Sequence, residues 1–308
     1  MIKAEETFNG TFPFRANFKE ISGFKMHYVD EGSGEVVLCL HGQPTWGYLY
    51  RQVIPLLSGR YRVVVPDNMG FGKSETPPNK AYRLQEHMDN LIELVEYLGF
   101  ENITLVVHDW GGPIGSGLLK QKPDVVKRIV VMNSLLPLGS EQENKLLAEG
   151  IGTSPWFHMM GGLYENGTFD PVVKNLFQYA TVSLMTDHLG FEKRTNITED
   201  WIRAYSEPFK TEEETRAAVA FPKSIVDGSN DLWHPFDEDE LKVARSKPTI
   251  MIEGLKDKGL PPELYMAIFR ESFPEGQVYE LPRAGHFLQE DEPQAVASLI
   301  DQFIRTTQ

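Results

Sequence analysis

The 308-residue chain is short of several features that define other kinds of protein, and each shortage narrows the field. It has a single cysteine, Cys39, so no disulfide forms within the chain; the residue lies in the apolar run Val36–Leu40, where a small core thiol is expected rather than a reactive one. No apolar run approaches the roughly 18 residues a membrane span needs, and the opening residues lack the basic and apolar regions of a secretion signal. A soluble, cytoplasmic protein is expected. Positive charge is scarce: 30 Lys and Arg against 44 Asp and Glu leave a net charge of −14, with no basic patch to meet phosphates. Neither nucleic acid nor a membrane is expected as a partner. The 8 histidines are scattered, with no His-x-x-x-His or cysteine cluster, so no metal or other cofactor is implied. There is no internal repeat and no low-complexity segment.

What is present is a rhythm of buried strands and amphipathic helices. Strands are expected at 18–21 and 25–29, paired around Ser22-Gly23, then at Val36–Leu40, 61–65, 103–107, 129–132, 249–253 and 278–281. Helices are expected at 46–57, at Leu84–Leu98 with Gly99 as its stop, after Asp109, and at 238–244, 262–273 and 293–303. Such alternation predicts an α/β fold, a mostly parallel sheet with helices on both faces. From about 136 to 221 the pattern is helical, with no buried strand. The expected division is a core at 1–135, a helical cap at 136–223 and the rest of the core at 224–308. Trp156, Trp201 and Tyr205 stand in aromatic-rich stretches of the cap; spacing of four on a helix face more often marks packing than ligand contact, but a cap lying over the sheet's active edge must line something, and these three are the pocket candidates. Gly72-Lys73-Ser74 invites a phosphate-loop reading, but the first glycine of that motif would fall at Asp67, so a structured turn is expected.

The stretch Val107-His108-Asp109-Trp110-Gly111 reads as a strand that breaks into a tight turn and opens a helix. Hydrolases that place a nucleophile on such a turn carry Gly-x-Ser-x-Gly there, because a strained backbone needs small neighbours. Here the second glycine matches, the first is Val, and the apex is Asp109, which makes Asp109 the candidate nucleophile. In that architecture the acid and the histidine follow in loops after late strands, and Asp257 and His286 have that order and placement.

Together with His41-Gly42-Gln43-Pro44-Thr45-Trp46-Gly47-Tyr48-Leu49-Tyr50-Arg51, Gly70-Phe71-Gly72-Lys73-Ser74, Lys256-Asp257-Lys258 and Ala284-Gly285-His286-Phe287-Leu288-Gln289-Glu290, these residues resemble the haloalkane dehalogenase group of α/β-hydrolases. The resemblance implies a helical cap over the sheet, haloalkane substrates, and halide ion and alcohol as products. Asp109 would displace halide to form an alkyl ester, and His286, held by Asp257, would activate water to cleave it. It also implies an oxyanion hole from the backbone N–H groups of Trp110 and Gln43, with the Trp110 indole as a halide donor. The group usually adds a second halide donor, either Asn at the position of Gln43 or a cap tryptophan; Gln43, Trp156 and Trp201 are the candidates here.

Two alternatives remain. An epoxide hydrolase would share the triad but protonate the epoxide oxygen with cap tyrosines, for which Tyr164, Tyr179 and Tyr205 are available. A ligand-binding protein that keeps the scaffold with little turnover is the other.

Overall fold

The computed structural model describes residues 2–229 and 235–307; residues 1 and 230–234 of the expected divisions, and 308 at the end, lie outside the described residues. Eight strands form one sheet: β1 (Asn17–Ile21), β2 (Phe24–Gly32), β3 (Val36–Leu40), β4 (Arg62–Pro66), β5 (Ile103–His108), β6 (Val126–Met132), β7 (Thr249–Gly254) and β8 (Gln277–Leu281). Their spatial order is β1-β2-β4-β3-β5-β6-β7-β8. β2 runs antiparallel to both neighbours, and every pairing from β4 to β8 is parallel. The first hairpin turns at Ser22 and Gly23, both at positive φ (47° and 83°), the backbone whose twist suits a two-residue loop.

The central strands are continuous Val, Ile and Leu runs because both faces are covered. Cys39 is fully buried among them, and burial pushes its thiol pKa upward, away from reactivity. The helix expected at 46–57 is instead a 3-10 turn (Gly47–Tyr50) followed by one helical turn, α1 (Ile54–Leu57). The cause is packing: Trp46 stacks on Tyr48, and Tyr50 donates its hydroxyl to the Leu40 carbonyl at 2.9 Å. The next two helices are α2 (Leu84–Leu98), ended by Gly99 at φ +63°, and α3 (Gly111–Gln121).

Between β6 and β7 lie α4 (Glu141–Ile151), α5 (Pro155–Glu165), α6 (Phe169–Ser183), α7 (Glu199–Ser206) and α8 (Arg216–Val226). The chain then continues through α9 (Glu238–Arg245), α10 (Pro262–Ser272), α11 (Leu288–Asp291) and α12 (Pro293–Thr306). α4 packs on α10, while α5 and α6 pack on α8. Polar anchors fasten the inserted helices to the sheet's carboxyl edge. The Trp46 indole donates to the Ala204 carbonyl at 2.8 Å, and the Tyr205 hydroxyl donates to Glu290 at 2.6 Å, where Arg51 also pairs. Asp291 accepts from the backbone N–H groups of Glu192 and Lys193. Among the described residues no helix is long and apolar enough to cross a membrane.

Lys73 lies inside a turn, as expected. Its ammonium donates to the carbonyls of Ala4 (2.9 Å) and Glu6 (2.8 Å), and its backbone N–H donates to the buried Asp67. A lysine committed in this way pins the N-terminal segment and presents nothing to a phosphate.

Candidate active site

In a parallel sheet the loops after the strands gather at one edge, and here the ends of β3, β5, β6, β7 and β8 meet there. Asp109, one residue past β5, has φ +50°, a left-handed backbone that side chains other than Gly, Asn and Asp adopt only under strain. Its neighbours are small because the chain passes close. A Cβ on Gly42 would lie 2.0 Å from Asp109 Oδ1, and one on Gly112 would lie 1.8 Å from the Leu135 carbonyl oxygen. The Ser134 hydroxyl donates to the Asp109 carbonyl at 2.6 Å and closes the turn.

Asp109 Oδ1 accepts a 2.6 Å hydrogen bond from the Gln43 backbone N–H, and the neighbouring Trp110 backbone N–H acts to lower the pKa of this carboxyl. Asp109 Oδ2 faces His286 Nε2 at 3.5 Å. On its far side, His286 Nδ1–H donates to Asp257 Oδ2 at 2.7 Å. Burial acts to raise the Asp109 pKa, but His286 and the hydrogen bonds prevail and hold it below the ordinary carboxylate range. Burial likewise acts to depress His286, and Asp257 together with Asp109 overcomes it, lifting the imidazole pKa to about 10. The resting site is an imidazolium clamped between two carboxylates.

Asp257 is held by donors alone. Asn133 Nδ2 donates to Oδ2 at 2.8 Å, and Gly259 N–H donates to Oδ1 at 2.7 Å. The three carboxyl-edge residues Asp109, Asp257 and His286 therefore come together as their chain order suggested.

The remaining sequence candidates separate. Trp110 lines a cavity of about 90 Å³ and stacks on Phe221 of α8, ring centroids 4.5 Å apart. Trp156 lines the same cavity from α5. Trp201 and Tyr205 do not. Trp201 is buried against Phe191 at 5.1 Å, and Tyr205 is buried with its hydroxyl spent on Glu290, so their helical spacing marks the face of α7 that packs on the core. The Gln43 amide does not reach a halide either: its Nε2 donates to the Ala218 carbonyl of α8 at 2.7 Å, which leaves Gln43 contributing its backbone N–H. Of the other cap tyrosines, Tyr179 is 76% exposed and Tyr164 is 42% exposed, so neither faces the cavity.

Sequence reasoning passed over three residues. His108 is buried, and burial drives its pKa down to about 3, so the neutral ring donates from Nε2 to the His286 carbonyl at 2.8 Å and steadies that loop. Its place beside the nucleophile was the available signal. Tyr265 of α10 lines the cavity, yet in sequence it is one aromatic on an amphipathic face.

Glu253 ends β7 fully buried; its Oε1 accepts from Asn133 at 3.2 Å, and its Oε2 has no partner. Burial, with Asp257 adding, pushes its carboxyl well above the usual range. A carboxyl with a raised folded pKa favours folding only at pH below the unfolded value, and that contribution is lost as pH rises toward the folded one. Glu253→Gln removes the dependence. It is expected to raise Tm more at pH 7 than at pH 4, because the carboxyl's penalty grows as pH rises above the unfolded pKa. A thermal melt series across that range checks this, and a gain independent of pH would contradict it.

Among the described residues no group of three or more His, Cys, Asp or Glu side chains is arranged to hold a metal ion.

Residues 35–293 match the family described as alpha/beta hydrolase fold. A haloalkane dehalogenase of Psychrobacter cryohalolentis is 32% identical, over 92% of this chain and 89% of its own. A cis-3-alkyl-4-alkyloxetan-2-one decarboxylase of Xanthomonas campestris is also 32% identical, over 92% of this chain and 93% of its own. Among solved structures, a haloalkane dehalogenase loop variant from Bradyrhizobium elkanii superposes with a TM-score of 0.72 at 22% identity, covering 96% of this chain and 97% of that one. That last likeness is one of fold.

Proposed function

Because the chain is a hydrolase and belongs to the haloalkane dehalogenase family of α/β-hydrolases, we propose that it cleaves the carbon–halogen bond of short haloalkanes through an ester on Asp109. The observation that carries this reading is the posture of one carboxylate, with Oδ1 held by the Gln43 backbone N–H and Oδ2 directed toward His286 beside an apolar cavity.

Oδ2 attacks the carbon, the carbon–halogen bond breaks, and its electron pair leaves with the halide beside the Trp110 indole. Oδ1 becomes the ester carbonyl while still held by the N–H groups of Gln43 and Trp110. Esterification removes the Asp109 charge that helps keep His286 protonated, so the imidazole loses its proton and becomes the base for water. Attack of that water on the Asp109 carbonyl carbon puts negative charge on Oδ1, where the two donors already point; each such donor is worth roughly 3 kcal/mol to the transition state. Asp257 stabilises the imidazolium that re-forms; collapse expels the alkoxide, which takes the imidazolium proton and leaves as alcohol, and the Asp109 carboxyl passes its own proton to His286 to restore the resting pair.

The cavity limits the substrate. Since a dry cavity of about 150 Å³ takes benzene, about 90 Å³ suits roughly four heavy atoms. The cap tyrosines that the epoxide alternative would use are not at the cavity, because Tyr164 and Tyr179 are exposed and Tyr205 is committed to Glu290.

The test uses n-propyl bromide and His286→Phe. The wild type is expected to release bromide continuously. The variant is expected to release one equivalent and then stop, with an intact-protein mass increased by one propyl group on a peptide containing Asp109. Continuous turnover by His286→Phe would sink the role of His286, and diol formation from small epoxides without halide release from any haloalkane would replace the reading altogether.

A further inference from the structure

If the leaving halide rests on Trp110 alone, half of its usual support is missing, since the Gln43 amide is bound to Ala218 and Trp201 is remote from the cavity. The polar atoms that remain in the cavity wall are few. Ser134 is engaged with the Asp109 carbonyl, and His286 faces Asp109. Tyr265 differs. It is 4% exposed, lines the cavity, and its hydroxyl has no hydrogen-bond partner among the described residues. An unpaired hydroxyl in an apolar wall is unfavourable unless something in the cavity receives it.

We propose that Tyr265 is the second hydrogen-bond donor to the leaving group, facing it together with the Trp110 indole. This rests on the reaction proposed above for Asp109. Tyr265 rises from α10, the helix entered directly after the Asp257 loop, on the core side of the cavity. It lines the same cavity as Asp109 and Trp110, and burial, with the charges of Asp257, Asp109 and Glu253 adding, pushes the phenol well above its ordinary pKa. Such a phenol keeps its proton, so it donates a hydrogen bond without transferring the proton, which suits a halide that departs with its electron pair and needs none. Trp156 lines the cavity from the cap, opposite the core side from which Tyr265 enters, and the experiment separates the two.

The experiment measures single-turnover formation of the propyl adduct in the His286→Phe background, with n-propyl chloride, bromide and iodide. Tyr265→Phe removes one oxygen and keeps the ring, so the packing survives. Adding it is expected to slow alkylation by about 10- to 100-fold with the chloride and by less with the iodide, because the poorer leaving group depends more on its donors. Bromide binding to otherwise wild-type protein, followed by calorimetry, is expected to weaken about 10-fold. A structural role would lower all three rates by the same factor, and that result, or unchanged rates and bromide affinity, overturns the proposal. So does a loss that appears in Trp156→Phe and not in Tyr265→Phe. If His286→Phe alone forms no adduct, the Asp109 reaction fails and this role of Tyr265 falls with it.

Discussion

Asp109→Ala is expected to lower kcat/KM for halide release by a factor on the order of 10⁵ or more, the scale on which removal of a covalent nucleophile acts in other hydrolases. The remaining site offers no substitute. Asp257 is turned away behind His286, with its oxygens taken by His286, Asn133 and Gly259, and Glu253 is buried and does not line the cavity. The backbone N–H groups of Gln43 and Trp110 survive the substitution, but with no ester to form they have no developing charge to meet. The fold is expected to persist, because the backbone of the turn is held by Ser134 and by the Gly112 N–H rather than by the carboxylate. Near-ultraviolet circular dichroism checks the packing while halide release is measured. A properly packed Asp109→Ala protein that retained more than about 1% of turnover would be incompatible with covalent catalysis at this position.

Much of this site could be read from the chain, for a physical reason. Asp109, Asp257 and His286 each stand just beyond a strand of a parallel sheet, and parallel pairing carries all such positions to one edge. Local sequence therefore specifies convergence without specifying distances. Residues whose role depends on a distant partner were not legible. Spacing put Trp201 and Tyr205 on one face of α7, but nothing local says that this face meets Phe191 and Glu290 rather than the cavity. Gln43 has the right chemistry for a halide, and only the approach of α8, with its Ala218 carbonyl, diverts the amide. Tyr265 is the converse. Its helix buries Tyr265, Met266, Ile268 and Phe269 together, and the pattern does not reveal that one of the four ends at a cavity. The short 3-10 turn after β3 belongs to the same class, since tertiary packing of Trp46, Tyr48 and Tyr50 overrode a helical spacing.

Asp257→Asn separates the two halves of the reaction. Hydrolysis of the alkyl-enzyme is expected to slow by about 10⁴-fold, the loss found when the orienting aspartate of a related triad becomes an amide, while alkylation changes little. Three donors converge on Asp257, namely His286 Nδ1–H, Asn133 Nδ2 and Gly259 N–H, so either orientation of an asparagine puts its NH₂ against another donor. The imidazole then loses both its orientation and the charge that stabilises its protonated form. Alkylation needs neither, because Asp109 is ionised throughout the neutral range. The variant is therefore expected to give a burst of one halide per site followed by a slow phase. In the wild type the pH dependence should divide in the same way. The burst is flat from about pH 6 to 9, since the Asp109 carboxyl lies below its usual value. Hydrolysis should increase with pH as His286 gives up its proton, with a midpoint below the resting value of about 10, because the ester no longer carries the Asp109 charge. Rapid-quench measurement of halide and alcohol follows each step separately, and a burst and a slow phase that fell together in Asp257→Asn would remove Asp257 from the hydrolytic half.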